Sequence, residues 1–178
     1  MATQQVYRDM LEVMQQRRGP YAGLDIPEFY ELVELLFTPE QAEVNNFLKA
    51  RPATAERIAR AADREKDDLV AILEKMADLG LCETIVRNGV RFFRGAPFMP
   101  GIFEYQFMPG RETDRDQETA RMIHRYKKAY QAVKGATRVS FATTRVITVD
   151  RKIDAGNTIH TYDQVATYID KYDSISIN

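Results

Sequence analysis

Cys82-Glu83-Thr84-Ile85-Val86-Arg87-Asn88-Gly89-Val90-Arg91-Phe92-Phe93-Arg94 decides how this chain is read. Two β-prone runs flank Asn88-Gly89. Both central residues of a tight hairpin turn must tolerate positive φ, and Asn-Gly does so at little cost. The stretch therefore predicts a two-stranded hairpin. Working backwards, Leu69, Ile72, Leu73, Met76 and Leu79 keep the rhythm of a helix with one buried face, beginning after a turn over Asp63 to Lys66. Gly80 stands where such a helix stops. Before it, Ala55, Ile58, Ala59 and Ala62 give a shorter helix with a small-residue face, and Thr54 is its expected cap. Earlier still, Thr38-Pro39-Glu40-Gln41 spells a capping box with proline at the first helical position. Ala42, Val44, Phe47 and Leu48 carry that helix to Ala50, and Arg51-Pro52 ends it.

Helix, short helix, turn, longer helix and hairpin, in that order, outline a winged helix-turn-helix over residues 37–98. The chain is accordingly read as mainly α with a small β part (α+β). Residues 1–36 are expected to form flanking helices. Val6, Met10, Val13 and Met14 share one face of the first, which ends at Arg17-Arg18-Gly19-Pro20. That face predicts either a homodimer interface or packing onto its own chain. The second runs from Ile26-Pro27 to Phe37, with Phe29, Leu32, Val33 and Leu36 inward. Residues 99–178 hold a connector, a long helix and a strand–helix–strand segment. In the connector, Phe98, Phe103, Tyr105 and Phe107 are read as core packing, with a ligand pocket as the alternative. The long helix runs from Asp114 to about Lys134, with an apolar stripe of Ile123, Tyr126, Tyr130 and Val133. A strand is expected over 145–150, a helix over 162–172 and a last strand over 174–177. A chain that stops inside a strand predicts a larger parent protein.

The 178 residues carry a net charge of −1 and a single cysteine. One cysteine excludes an internal disulfide and a multi-cysteine metal site, and it suits a reduced cytoplasmic setting. No apolar run is long enough to cross a bilayer, and the N-terminus is not a secretory signal. Charge is unevenly spread. Residues 1–50 hold 4 Lys/Arg against 8 Asp/Glu, whereas residues 111–138 hold 8 against 4. Contacts between segments or subunits, or a solvated helix face, each account for that.

No catalytic constellation is visible, and the chain is read as a non-enzyme. His124 and His160 stand outside any motif, and there is no phosphate-cradling glycine loop, HExxH or GxSxG. Cys82 reads as a packing residue. Nucleic-acid binding is the sharper alternative. A winged helix reads DNA with the leading end of its third helix and touches backbone with its wing. Under that alternative the contacts are Arg57 and Arg60 on the second helix, Arg64 and Lys66 at the start of the third, and Arg87, Asn88 and Arg91 on the wing. The leading end, Asp63-Arg64-Glu65-Lys66-Asp67-Asp68, opposes it with four carboxylates against two cations. Affinity for DNA comes largely from cations that neutralise phosphates, so DNA is disfavoured relative to a protein partner.

Several blocks carry a resemblance. Leu36-Phe37-Thr38-Pro39-Glu40-Gln41-Ala42-Glu43, Leu73 to Leu81, Pro97-Phe98-Met99-Pro100-Gly101-Ile102-Phe103-Glu104 and Arg145-Val146-Ile147-Thr148-Val149 resemble the N-terminal winged-helix region of 4Fe–4S ferredoxin-type (iron-sulfur binding) proteins of anaerobic bacteria. The Pro97–Glu104 block is the most specific of these. The resemblance implies electron transfer for the parent protein, with clusters held by cysteines beyond a segment similar to 162–177. It implies no catalytic, cofactor-binding or metal residue in this chain. The portion in hand would then be an accessory region that docks a protein partner or its own C-terminal ferredoxin domain.

Overall fold

The computed structural model describes residues 2–135. The expected strands over 145–150 and 174–177, the helix over 162–172 and His160 lie outside the described residues.

Helix α1 (Ala2–Arg17) buries Tyr7, Met10 and Met14 against α3 (Pro39–Phe47) of its own chain. The Tyr7 hydroxyl donates to the Phe37 carbonyl at 2.9 Å, which pins the two helices where α3 begins. The predicted capping box of α3 is present. The Thr38 N–H donates to Gln41 Oε1 at 3.0 Å, and the Gln41 N–H donates to Thr38 Oγ1 at 3.2 Å.

Helix α3 ends at Phe47, short of the expected Ala50. Leu48 turns extended, and the Lys49 carbonyl accepts the Gly95 N–H at 3.0 Å. The chain leaves the helix early because its next carbonyls are used across the fold. It then forms a two-residue strand, β1 (Ala53–Thr54), too short to show a periodicity in sequence. Thr54 does sit before α4 (Ala55–Ala62), but its side chain makes no capping bond. The expectation of a side-chain cap there is corrected: the Thr54 backbone belongs to the sheet.

Asp63, in the left-handed region at φ 51°, ends α4 and lets α5 (Lys66–Asp78) turn back across it. Leu69, Leu73 and Met76 of α5 enter the core, with Ile72 and Leu79 half-buried beside them. The hairpin follows as β2 (Cys82–Arg87) and β3 (Val90–Gly95), with Arg87 opposite Val90. Asn88 and Gly89 take φ 50° and 75°, as an Asn-Gly turn requires. β1 pairs with β3 through Ala53 opposite Phe93 and Thr54 opposite Phe92. The sheet is therefore antiparallel with three strands, ordered β1-β3-β2, rather than the two expected. The described residues are mainly helical with this one small sheet, an α+β arrangement.

Helix α2 (Pro27–Leu36) buries Phe29, Leu32, Val33 and Leu36 as its pattern predicts, and packs on α7 (Asp114–Lys134). Between β3 and α7, an irregular turn over Phe98–Ile102 leads into the short α6 (Phe103–Tyr105). Phe98 stacks on Phe103 with centroids 4.9 Å apart and meets Phe29 at 6.0 Å and Tyr126 at 5.8 Å. Phe98 and Phe103 therefore fill core volume. Tyr105 is half-buried and Phe107 is 40% exposed, so the four aromatics do not line a shared ligand pocket. Helix α7 opens with a second capping box, Thr113 with Asp116. Its stripe is buried at Ile123 and Tyr126 and half-buried at Tyr130, but Val133 is 62% exposed, so the last turn runs clear of the core.

Candidate functional site

The expected nucleic-acid contacts fall into two groups. Arg64, between α4 and α5, is held by carboxylates of α3: Nη1 lies 3.1 Å from Glu40 Oε1, and Nη2 lies 2.8 Å from Glu43 Oε2. Those hydrogen bonds raise its already high pKa. Lys66 Nζ lies 2.7 Å from Glu56 Oε1. The pair favours both charges, raising the Lys66 pKa and lowering that of Glu56. Arg91 on β3 reaches Glu74 on α5 at 3.1 Å and sits over the Phe93 ring at 5.7 Å from its centroid. Three expected phosphate contacts are thus already satisfied by the protein. The remaining four are exposed. Arg57 and Arg60 lie on α4, and Arg87 and Asn88 lie at the hairpin tip, without an ion pair among the described residues.

The acids around α5 are differently placed. Asp63, Glu65, Asp67 and Asp68 are all exposed, and none is in an ion pair among the described residues. The leading end of α5 thus presents bare carboxylates beside neutralised cations. That field repels a polyanion. The hairpin tip adds Val86 at 66% exposure and Val90 at 47%, and the segment after α6 adds Met108 at 66%.

One polar cluster escaped sequence reasoning. Arg17, the last residue of α1, turns its guanidinium inward at the joint of α1, α3 and β3. Nη1 donates to Asn45 Oδ1 at 2.9 Å and to the Ala96 carbonyl at 3.1 Å. Nη2 donates to the carbonyls of Asn45 at 2.8 Å and Leu48 at 3.2 Å. No carboxylate pairs with it among the described residues; carbonyls at the negative end of α3 take that part. Desolvation lowers its pKa to about 10. Gly95 is required beside it, because a Cβ there would overlap the guanidinium. In sequence, Arg17-Arg18 before Gly-Pro reads simply as a helix terminus. A buried asparagine at 45, out of place on an apolar face, was the one available hint.

Cys82 is buried, with its thiol directed to the Leu73 carbonyl at 3.8 Å, and burial pushes its pKa up to about 12. A 4Fe–4S cluster takes four thiolates, so the one cysteine of this chain does not supply its donor set. His124 is exposed on α7. Among the described residues no helix is long and apolar enough to cross a membrane. Comparison of the chain with family models, with curated proteins and with solved structures gives no match.

Proposed function

We propose that this chain is a protein-interaction module built on a winged helix over residues 37–98, and that it serves as the accessory region of a 4Fe–4S ferredoxin-type electron-transfer protein in the cytoplasm. The order α3, β1, α4, α5 and hairpin supports the winged-helix reading. The interaction reading rests on the charge state of the α5 end. There Arg64 and Lys66 are tied to Glu40, Glu43 and Glu56, while Asp63, Glu65, Asp67 and Asp68 face water. The redox attribution rests on the sequence blocks around Pro97–Glu104 alone. Two experiments test the parts separately. Anisotropy of a labelled 20–30 base-pair duplex, titrated with protein at about 50 mM salt, is expected to show no saturable binding, because too few free cations are present to neutralise phosphates. Tight, salt-sensitive binding would defeat the interaction reading. For the redox part, the parent reading frame past Asn178 is expected to encode a cysteine-rich domain that co-purifies with this chain when the two are co-expressed. A parent frame without such cysteines would defeat the redox part and leave the interaction reading standing.

A second reading, a DNA-binding transcriptional regulator, is favoured by Arg57, Arg60 and Arg87, which are exposed and outside the ion pairs described. It predicts that the anisotropy signal appears and is weakened by replacing those three residues.

A further inference from the structure

A recess of about 570 Å³ opens between the end of α3, the turn into β1, the face of α4 and β3. Its base is apolar: Phe47, Pro52, Ile58 and Phe93 contribute, and Ile58 and Phe93 are themselves 3% exposed. Three cations stand on its wall, Lys49, Arg51 and Arg57, and the lining contains no carboxylate. None of the three is in an ion pair among the described residues. In a chain of net charge −1, with 26 acids to 25 Lys/Arg, that local imbalance is a property of the site and not of the composition.

We propose that this recess binds a small amphipathic organic anion: a carboxylate or sulfonate on an aromatic or medium-length apolar body. The volume lies within the range of small-molecule sites, roughly 300–1,000 Å³. Apolar walls reward burial of the ligand body, and the unpaired guanidinium groups supply forked donors that match a carboxylate. Each half of the site selects a different half of the ligand. A neutral molecule of the same body would leave the cations unanswered, and inorganic phosphate would leave the apolar base wet. The proposal stands apart from the interaction reading, since it concerns neither the α5 end nor the hairpin tip.

The test uses the full chain with anilinonaphthalene sulfonate as a fluorescent probe, and octanoate and 1-octanol as competitors. The probe is expected to saturate at one site and to be displaced by octanoate but not by 1-octanol at equal concentration. R51Q/R57Q is expected to weaken the probe by about tenfold or more, from loss of charge-assisted hydrogen bonds. Ala61→Phe, which fills the recess from α4, is expected to abolish binding, and Lys75→Gln, on α5 and outside the lining, to leave it unchanged. Circular dichroism shows whether each variant is folded, and the comparison of the two competitors needs no variant at all. Equal competition by 1-octanol, or unchanged affinity in a folded R51Q/R57Q, would overturn the proposal. So would displacement of the probe by a short duplex DNA or an acidic peptide but not by octanoate, which would assign the cations to a macromolecule.

Discussion

Arg17 and Arg64 are both engaged at their terminal nitrogens, by opposite means. Arg64 lies in partly wet surroundings between two carboxylates, 3.1 and 2.8 Å away. Arg17 is enclosed at the junction of α1, α3 and β3 and is answered by carbonyls and one amide oxygen. The first pairing cancels charge on a surface, at small benefit to the fold. The second leaves a charge uncancelled but answers four oxygen acceptors at once. A cation in the sequence is therefore no measure of a cation on the surface. Here one is structural, one is neutralised, and of the cations among the expected DNA contacts only Arg57, Arg60 and Arg87 have no ion pair among the described residues.

Arg17→Met is the most damaging way to break this contrast. It strands Asn45 Oδ1 and the carbonyls of Leu48 and Ala96 without this donor, and leaves the Asn45 carbonyl with the Leu48 N–H alone. The expected loss is about 3–5 kcal/mol in urea unfolding, the scale of a broken buried charge network. Arg17→Lys is expected to recover only part of it, because a point charge cannot fork across the same acceptors. Gly95→Ala approaches the same node from the other side. Its added methyl meets the guanidinium, so a loss of about 1–3 kcal/mol is expected in the same assay, as for an overpacked core.

The neighbouring thiol sharpens the comparison through pH. Burial raises the Cys82 pKa from 9.0 to about 12. Between those values the unfolded chain has released the thiol proton and the folded chain has kept it. Stability must then fall as pH rises above 9, with a slope of up to about 1.4 kcal/mol per pH unit. Arg17 acts with the opposite sign. Its pKa is lowered to about 10, so the cost of burying its charge is present at neutral pH and is relieved above 10. Cys82→Ala is expected to flatten the loss of stability between pH 9 and 10, where the thiol acts first. Urea unfolding at pH 8, 9 and 10 checks it, and equal slopes in both proteins would contradict the burial argument.

The legible parts of this molecule are those governed by local rules. The capping box at Thr38, the Asn88-Gly89 turn and the apolar faces of α2 and α5 each depend on residues within a few positions of one another, and the structure contains all of them. What escaped is non-local. β1 exists because β3 offers it a partner nearly forty residues on; α3 stops early because Arg17 and Gly95 draw on the carbonyls at its end. The ion pairs that engage three of the candidate DNA contacts are non-local as well. Residue type placed Arg64, Lys66 and Arg91 near the right surface, but their carboxylate partners lie on other elements. The recess beside α4 was equally hidden, since Phe47, Arg51, Arg57 and Phe93 share no spacing.

The smallest effect on stability is the most informative about function. Replacing both Glu40 and Glu43 by glutamine releases Arg64 from its two partners while keeping the shape of the side chains. The stability change is expected to stay under about 1 kcal/mol, as for exposed pairs generally. The change in net charge is two units toward positive, both at the border of the α5 end. If the acidic dress of that end is what keeps the chain off DNA, the double variant should gain measurable, salt-sensitive retention of duplex in the anisotropy assay, and further Arg64→Gln should remove it. A variant that stays indifferent to DNA at about 50 mM salt would show that the bare carboxylates of Asp63, Glu65, Asp67 and Asp68 suffice without help from α3. Retention that survives Arg64→Gln would mean that Arg57, Arg60 and Arg87 bind phosphate on their own, and would move the balance to the second reading.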